Sequence, residues 1–165
     1  GVMREAVVMQ MTWVGAPTVY YGDEAGMVGW TDPDNRRSYP WGKQDWELIE
    51  FHKDMIRIHK KYECFRSGSY KSIASGSHWI CYGRFNKKLQ AVILINNRRE
   101  MLTVDLPIWQ IGILENACLK RVIQTTQSTY NVGEVMERAE DGILHVTVGP
   151  QTASVYIAAK NVEEN

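Results

Sequence analysis

The sequence lacks a net charge, a long apolar run and any low-complexity tract. Among its 165 residues, 19 Lys and Arg balance 19 Asp and Glu. Nucleic acids and anionic membranes bind basic surfaces, so we expect neither as a main partner. No stretch approaches the ~18 consecutive apolar residues of a membrane span. No signal peptide is visible, and the location that we predict is the cytoplasm.

Cysteine is scarce, and the metal-binding side chains are scattered. Cys64, Cys81 and Cys118 are odd in number and form no CxxC pair. This spacing favours neither a disulfide framework nor a zinc site. His52 and His59 lie seven residues apart on one predicted helix face, but no third ligand lies near them in the sequence. We therefore predict no metal site.

The first third of the chain has the apolar periodicity of helices. Residues 2–14 carry two apolar rows at helical spacing, and Gly15 and Pro17 follow as terminators. Residues 17–21 form a short apolar and aromatic run, which predicts a strand covered on both faces. Residues 45–62 carry one continuous apolar stripe and predict a second long helix.

From residue 70 onward the apolar pattern changes to period two, which indicates strands. Turn-forming residues such as Asn96 and Asn97 separate the runs. Many short strands at this spacing are typical of a β-sandwich. The predicted strands are 70–75, 78–85, 89–96, 101–106, 118–125, 130–136, 143–149 and 152–159.

Residues 15–41, GAPTVYYGDEAGMVGWTDPDNRRSYPW, carry the most specific pattern. A strand that ends in a long polar loop is how a parallel α/β barrel presents a binding site. The segment resembles the one that follows the eighth barrel strand in the α-amylase family of glycoside hydrolases (family 13). There, a YYGDE-type strand end precedes a DPDNR-type loop and a Pro-Trp. The resemblance is closest to the neopullulanase, cyclomaltodextrinase and maltogenic amylase branch.

This resemblance implies an α+β fragment of a larger enzyme. Residues 1–65 would be the last helix–strand–helix of a (β/α)₈ barrel. Residues 66–160 would be the antiparallel β-sandwich called domain C, and residues 161–165 a tail. The rest of the barrel, on the N-terminal side, is then an expected partner.

The carboxylates of this region do not form a convincing catalytic pair. A retaining glycosidase holds two carboxylates ~5–5.5 Å apart on rigid elements. Asp23 and Glu24 are sequence neighbours, and Asp32 and Asp34 share one flexible loop. The resemblance also implies that the catalytic residues come from earlier strands. We expect no catalytic residue here and no activity from this chain alone. The intact enzyme would perform retaining hydrolysis or transfer at α-1,4 or α-1,6 bonds of α-glucans or maltodextrins, without a cofactor.

The loop is instead a candidate substrate-binding site. The resemblance implies that Asp32 and Arg36 contact a glucose unit, and a carboxylate and a guanidinium suit sugar hydroxyls. Trp30 could stack on a sugar face. The structural alternative is that Asp32 and Pro33 only form the turn, while Arg36 pairs with a carboxylate such as Glu24.

Two other functions remain open for residues 66–165. One is a free-standing carbohydrate-binding module, for which Trp79, Tyr82 and Tyr156 are the plausible aromatic set. The other is a structural accessory domain that seals the barrel. The first can be recognised by exposed, coplanar rings on one sheet.

The barrel-like segment also predicts self-association. Strand 17–21 and helix 2–14 would lack most of their barrel neighbours, and exposed apolar edges and faces promote pairing. We expect residues 1–30 to dock on another copy, most simply by exchange in a homo-oligomer, or to fold back on the sandwich in a non-barrel arrangement.

Overall fold

The computed structural model describes residues 1–159, so the predicted tail at 161–165 lies outside the described residues. Three helices precede an antiparallel β region; the sequence pattern predicted the two long ones and not the short third. The helices are α1 (Val2–Thr12), α2 (Trp46–Lys61) and α3 (Cys64–Ser67). The strands are β1 (Ser69–Gly76), β2 (Trp79–Phe85), β3 (Leu89–Asn96), β4 (Leu102–Pro107), β5 (Cys118–Thr125), β6 (Tyr130–Arg138), β7 (Ile143–Val148) and β8 (Thr152–Ala159).

Helix α2 forms where the apolar stripe predicted it. Asp45 caps its start by accepting a 2.9 Å hydrogen bond from the Leu48 amide. His59, Lys60 and Lys61 occupy its last turn, where positive charge complements the helix dipole. The buried face of the helix consists of Leu48, Phe51, His52, Met55 and Ile58.

The predicted strand at residues 17–21 is wrong. This segment has no regular secondary structure, and Tyr20 and Tyr21 are half-exposed. A strand needs hydrogen-bonded neighbours, and every strand pair within residues 1–159 is antiparallel and lies in the β region. The apolar run therefore has no parallel neighbour on which to form a sheet.

The β region is a sandwich of two unequal sheets, as the period-two pattern predicted. The large sheet has six strands in the order β1-β2-β3-β8-β5-β6, and the small sheet pairs β4 with β7. Strand β3, at the centre of the large sheet, is buried on both faces. Its successive side chains point alternately into two different cores. Ala91, Ile93 and Ile95 face the core shared with the helices. Val92 and Leu94 face the core shared with β4 and β7.

Helix α1 folds back on this sandwich. Val7, Val8 and Met11 belong to the core between the helices and the large sheet. The Thr12 hydroxyl lies 2.6 Å from the hydroxyl of buried Tyr82 on β2. The helix thus packs on the sandwich within one chain, while exchange between copies stays a prediction.

Arg84 on β2 joins the helices to the sandwich. Its side chain is 1% exposed, and its guanidinium donates to four backbone carbonyls. Two acceptors, Thr12 and Trp13, lie at the end of α1, at 2.9 and 2.5 Å. The others, Phe65 at 3.1 Å and Gly68 at 3.0 Å, lie at α3. Carbonyls at helix ends lack intrahelical partners, so one cation satisfies both ends.

Within residues 1–159, no helix combines the length and the apolarity that crossing a membrane requires.

Candidate functional site

The candidate site lies on the long connection between α1 and α2. Gly22 and Gly26 adopt the left-handed region, with φ of 78° and 75°, and bracket a short 3-10 turn at Asp23–Ala25. The connection then approaches itself closely at Gly29, where a Cβ would lie 2.7 Å from the Asn35 Cα. A side chain at that position would push the two arms of the DPDNR loop apart.

The structure brings Asp32 and Arg36 together. The Arg36 guanidinium lies 2.5 Å from Asp32 Oδ1, and both side chains are more than 60% exposed. Arg36 thus pairs with Asp32 rather than with Glu24, the partner that the structural alternative named. A solvent-exposed ion pair contributes only about 0–1 kcal/mol, so both groups can exchange partners with a bound molecule.

A second ion pair and an exposed indole flank this pair. Arg37 and Asp34 approach to 2.6 Å and fix the far side of the 3-10 turn at Asp34–Arg36. Trp30 is 83% exposed, so its ring is available for stacking. The loop therefore carries an exposed acceptor, an exposed set of donors and an exposed aromatic ring.

An aromatic group beside the loop was missed by the sequence reasoning. The rings of Tyr39 and Trp41 are 4.7 Å apart, and Tyr21 meets Tyr39 at 6.5 Å. Trp41 is 80% exposed. Burial, with a further contribution from Glu24, raises the pKa of Tyr39. The signal was the Tyr-Pro-Trp sequence at the end of the loop, since Pro40 fixes the spacing of the two rings.

The remaining carboxylates of the connection have structural partners. Asp23 accepts a hydrogen bond from the Tyr20 amide at 3.2 Å. Asp34 is held by Arg37, and Glu24 by Tyr39. These contacts favour binding over catalysis as the chemistry of this surface.

Two histidines, His52 and His59, and two cysteines, Cys64 and Cys81, have structural positions. His52 Nδ1 lies 2.8 Å from the Leu48 carbonyl, and His59 Nδ1 lies 2.7 Å from the Met11 carbonyl. Cys64 and Cys81 are buried, and burial raises the pKa of the Cys64 thiol to about 11. No group of three metal-ligating side chains occurs within residues 1–159.

The aromatic set proposed for a carbohydrate-binding sandwich is wrong. Tyr82 is completely buried, and Tyr156 is 1% exposed. Trp79 is partly buried against the core between the two sheets. The period-two pattern put these rings on strands, but it could not tell which face each core covers, because both faces of the large sheet are buried.

Comparisons with known proteins find relatives over about two thirds of the chain. No family model matches the chain. Neopullulanase 2 of Thermoactinomyces vulgaris is 36% identical over 113 residues, which are 66% of this chain and 19% of that protein. A cyclomaltodextrinase of Thermoanaerobacter pseudethanolicus is 34% identical over 123 residues, 72% of this chain and 21% of that protein.

The fold agrees as well. The crystal structure of an Anoxybacillus α-amylase superposes with a TM-score of 0.81 at 23% identity, over 98% of this chain and 33% of that one. The chain is thus homologous to part of the glycoside hydrolases of the α-amylase family, as the resemblance predicted. The chain spans about a fifth or less of the length of the curated relatives that it matches.

Proposed function

We propose that this chain is the C-terminal portion of an α-amylase-family enzyme that acts on α-glucans or maltodextrins. In the intact enzyme the reaction is retaining hydrolysis or transfer at α-1,4 or α-1,6 bonds. The observation that carries the proposal is the exposed Asp32–Arg36 pair, in a chain whose relatives are named neopullulanase and cyclomaltodextrinase.

In this proposal the two parts of the chain have different roles. Residues 1–65 form the C-terminal end of a (β/α)₈ barrel. Residues 66–160 seal that barrel as a structural domain. The burial of Tyr82 and Tyr156 favours this structural role over a free-standing carbohydrate-binding module. The catalytic carboxylates belong to the rest of the barrel, and the cytoplasmic location stays a prediction.

The loop supplies substrate binding. Asp32 accepts hydrogen bonds from sugar hydroxyls, Arg36 donates to them, and Trp30 stacks on a sugar face. Since the present ion pair is exposed, a sugar can insert between its two partners at little cost.

The test uses the full-length polypeptide that contains this chain. Loss of one charged hydrogen-bonding partner to a bound sugar costs on the order of 1.5–3 kcal/mol. Asp32→Ala and Arg36→Ala should therefore lower kcat/KM for long maltodextrins by roughly tenfold to a hundredfold. Short substrates that do not reach the loop should be affected far less.

Asp34→Ala is the matched control, because it breaks the other exposed ion pair of the same loop. It should change kcat/KM little. Equal losses on short and long substrates, or an Asp34→Ala loss as large as that of Asp32→Ala, would mean that the loop has a structural role only.

A further inference from the structure

The loop of the proposed sugar site is closed by a contact between two backbone segments. A Cβ on Gly29 would lie 2.7 Å from the Asn35 Cα and 3.1 Å from the Asp34 carbonyl oxygen. Both are backbone atoms, which cannot turn aside as the end of a long side chain can. Residues 29–35 therefore form a small closed lobe whose two ends touch at Gly29 and Asn35.

This contact, rather than the backbone conformation, requires glycine at position 29. Gly29 is not among the glycines with a positive φ, so its φ does not exclude other residues. A carbon–carbon contact needs about 3.5 Å against the 2.7 Å here, so a methyl group must move the two segments apart by about 0.8 Å. A binding site keeps its productive geometry only within about 0.5 Å. Even the smallest side chain at position 29 therefore exceeds this tolerance.

Hydrogen bonds hold the lobe at its tip and the connection at its base. At the tip, the Arg36 amide donates to the Pro33 carbonyl at 3.0 Å. At the base, the amide of Asp45, which caps α2, donates to the Ala25 carbonyl at 3.1 Å. The base is therefore fixed on α2, and the contact at Gly29 sets how the lobe is placed above it.

We infer that Gly29 is a positioning residue, whose contact with Asn35 places the Asp32 carboxylate and the Arg36 guanidinium against a bound sugar. The inference rests on the proposed function, since this pair is the one proposed to bind glucose units. Asp32 lies inside the lobe, and Arg36 directly follows its closing residue. Their 2.5 Å ion pair spans the closure, so separation of the two segments changes the distance between the acceptor and the donors.

The first experiment compares Gly29→Ala with Gly133→Ala in the full-length polypeptide that contains this chain. Gly133 on β6 is the matched control, because a Cβ there meets no atom within 4 Å and its φ is not positive. Gly29→Ala should raise KM for long maltodextrins by roughly tenfold at unchanged kcat, since misplacement by about 1 Å weakens an interaction on this scale. Gly133→Ala should change neither constant. An unchanged KM in Gly29→Ala would overturn the inference.

A combined variant separates positioning from other effects of the same substitution. In a chain that already carries Asp32→Ala and Arg36→Ala, the further change Gly29→Ala should raise KM by less than about threefold. The reason is that the two side chains that it displaces are gone. A further rise near tenfold in this background would show that Gly29 acts on something other than the pair, and the inference would be wrong.

Trypsin tests the closure of the lobe on the 165-residue chain without any substrate. Cleavage after Arg36 and Arg37 requires the segment to open, so Gly29→Ala should speed it severalfold, as followed by mass spectrometry. Cleavage after Lys43, which lies outside the lobe, is the internal reference and should keep its rate. Gly133→Ala should behave as the unchanged chain does. Equal rates after Arg36 and Arg37 in Gly29→Ala and the unchanged chain would mean that the contact does not close the lobe.

The outcomes separate this inference from the proposed function. If Asp32→Ala and Arg36→Ala leave kcat/KM for long maltodextrins unchanged, the proposed function fails, and the positioning role fails with it, even where trypsin shows a closed lobe. If those variants lower kcat/KM and Gly29→Ala does not, the proposed function stands and the role of Gly29 is wrong. The urea midpoint of Gly29→Ala should equal that of the unchanged chain, because the lobe is exposed. A lower midpoint would mean that Gly29 supports the fold instead of the binding residues.

Discussion

At the scale of single residues, Arg84 carries the contact between the helical part and the sandwich. Arg84→Met keeps much of the stem but leaves four backbone carbonyls without their donor. Unsatisfied buried groups cost about 1–3 kcal/mol each, though not additively. We expect the free energy of unfolding in urea to fall by about 3–5 kcal/mol.

Arg57→Met is the matched control for this substitution. Arg57 also forms an ion pair, with Asp54, but its side chain is 68% exposed. Its loss should change the unfolding free energy by less than about 1 kcal/mol. Similar small effects of the two variants would show that Arg84 does not hold the helices in place.

Glu5 should make stability depend on pH. Burial disfavours the charged form of Glu5 and raises its pKa in the folded chain from the ordinary 4.5 to about 7. The folded state thus retains a proton that the unfolded state releases. The resulting stability is fully present below pH 4.5 and is lost as pH rises through 7, by on the order of 1–3 kcal/mol. Urea unfolding at pH 5 and pH 8 measures it.

Glu5→Gln is the comparison for this pH effect. The amide cannot titrate, so the Glu5 contribution should disappear from the difference between pH 5 and pH 8. An identical pH difference in the two chains would assign the dependence to other groups.

At the scale of elements, α2 depends on its cap. Asp45→Ala removes the side-chain acceptor of the Leu48 amide at 2.9 Å. The expected loss is about 1 kcal/mol of unfolding free energy. Asp45→Asn retains an acceptor and should lose much less. Equal losses in both variants would point to the charge of Asp45 rather than to its hydrogen bond.

The elements that sequence reasoning predicted well are those with a local signal. The predicted strand 89–96 has the observed bounds because its turns and its apolar run are both encoded locally. Strand 17–21 was wrong for the opposite reason: its apolar residues are typical of a strand, but pairing depends on neighbours that the described residues do not supply. The apolar pattern of a segment does not show whether neighbouring strands are present to pair with it.

The candidate site divides in the same way. The sequence motif identified Asp32 and Arg36 as candidate binding residues because both lie in one short loop. It did not predict that their side chains form an ion pair. The contacts of Arg84 and the isolation of Glu5 were not predictable. Arg84 bonds to Thr12 and Trp13, more than 70 positions away, and to Phe65 and Gly68, 19 and 16 positions away. The groups around Glu5 likewise combine α1 with residues 76–97, which only the fold brings together.

At the scale of the whole molecule, the helical part leaves apolar groups in solvent. Val2, Met3 and Val14 on and after α1 are each at least half exposed, and Val28 and Trp30 are 75% and 83% exposed. Exposed apolar side chains concentrated in one segment are typical of a contact surface in soluble proteins. We therefore expect the isolated chain to associate through residues 1–30.

Replacing two of these exposed residues tests the association. The double substitution Met3→Lys and Val14→Lys adds two positive charges to residues 1–30 and should shift the chain toward a monomer in sedimentation experiments. Met101→Lys is the control, because Met101 is 66% exposed but lies on the turn before β4. Its association should equal that of the unchanged chain. A monomeric unchanged chain at about 100 µM would contradict the prediction. If Met101→Lys alone reduced association, the contact between copies would lie on the sandwich. It would then not cover the apolar residues 1–30, which the missing barrel neighbours leave exposed in this prediction.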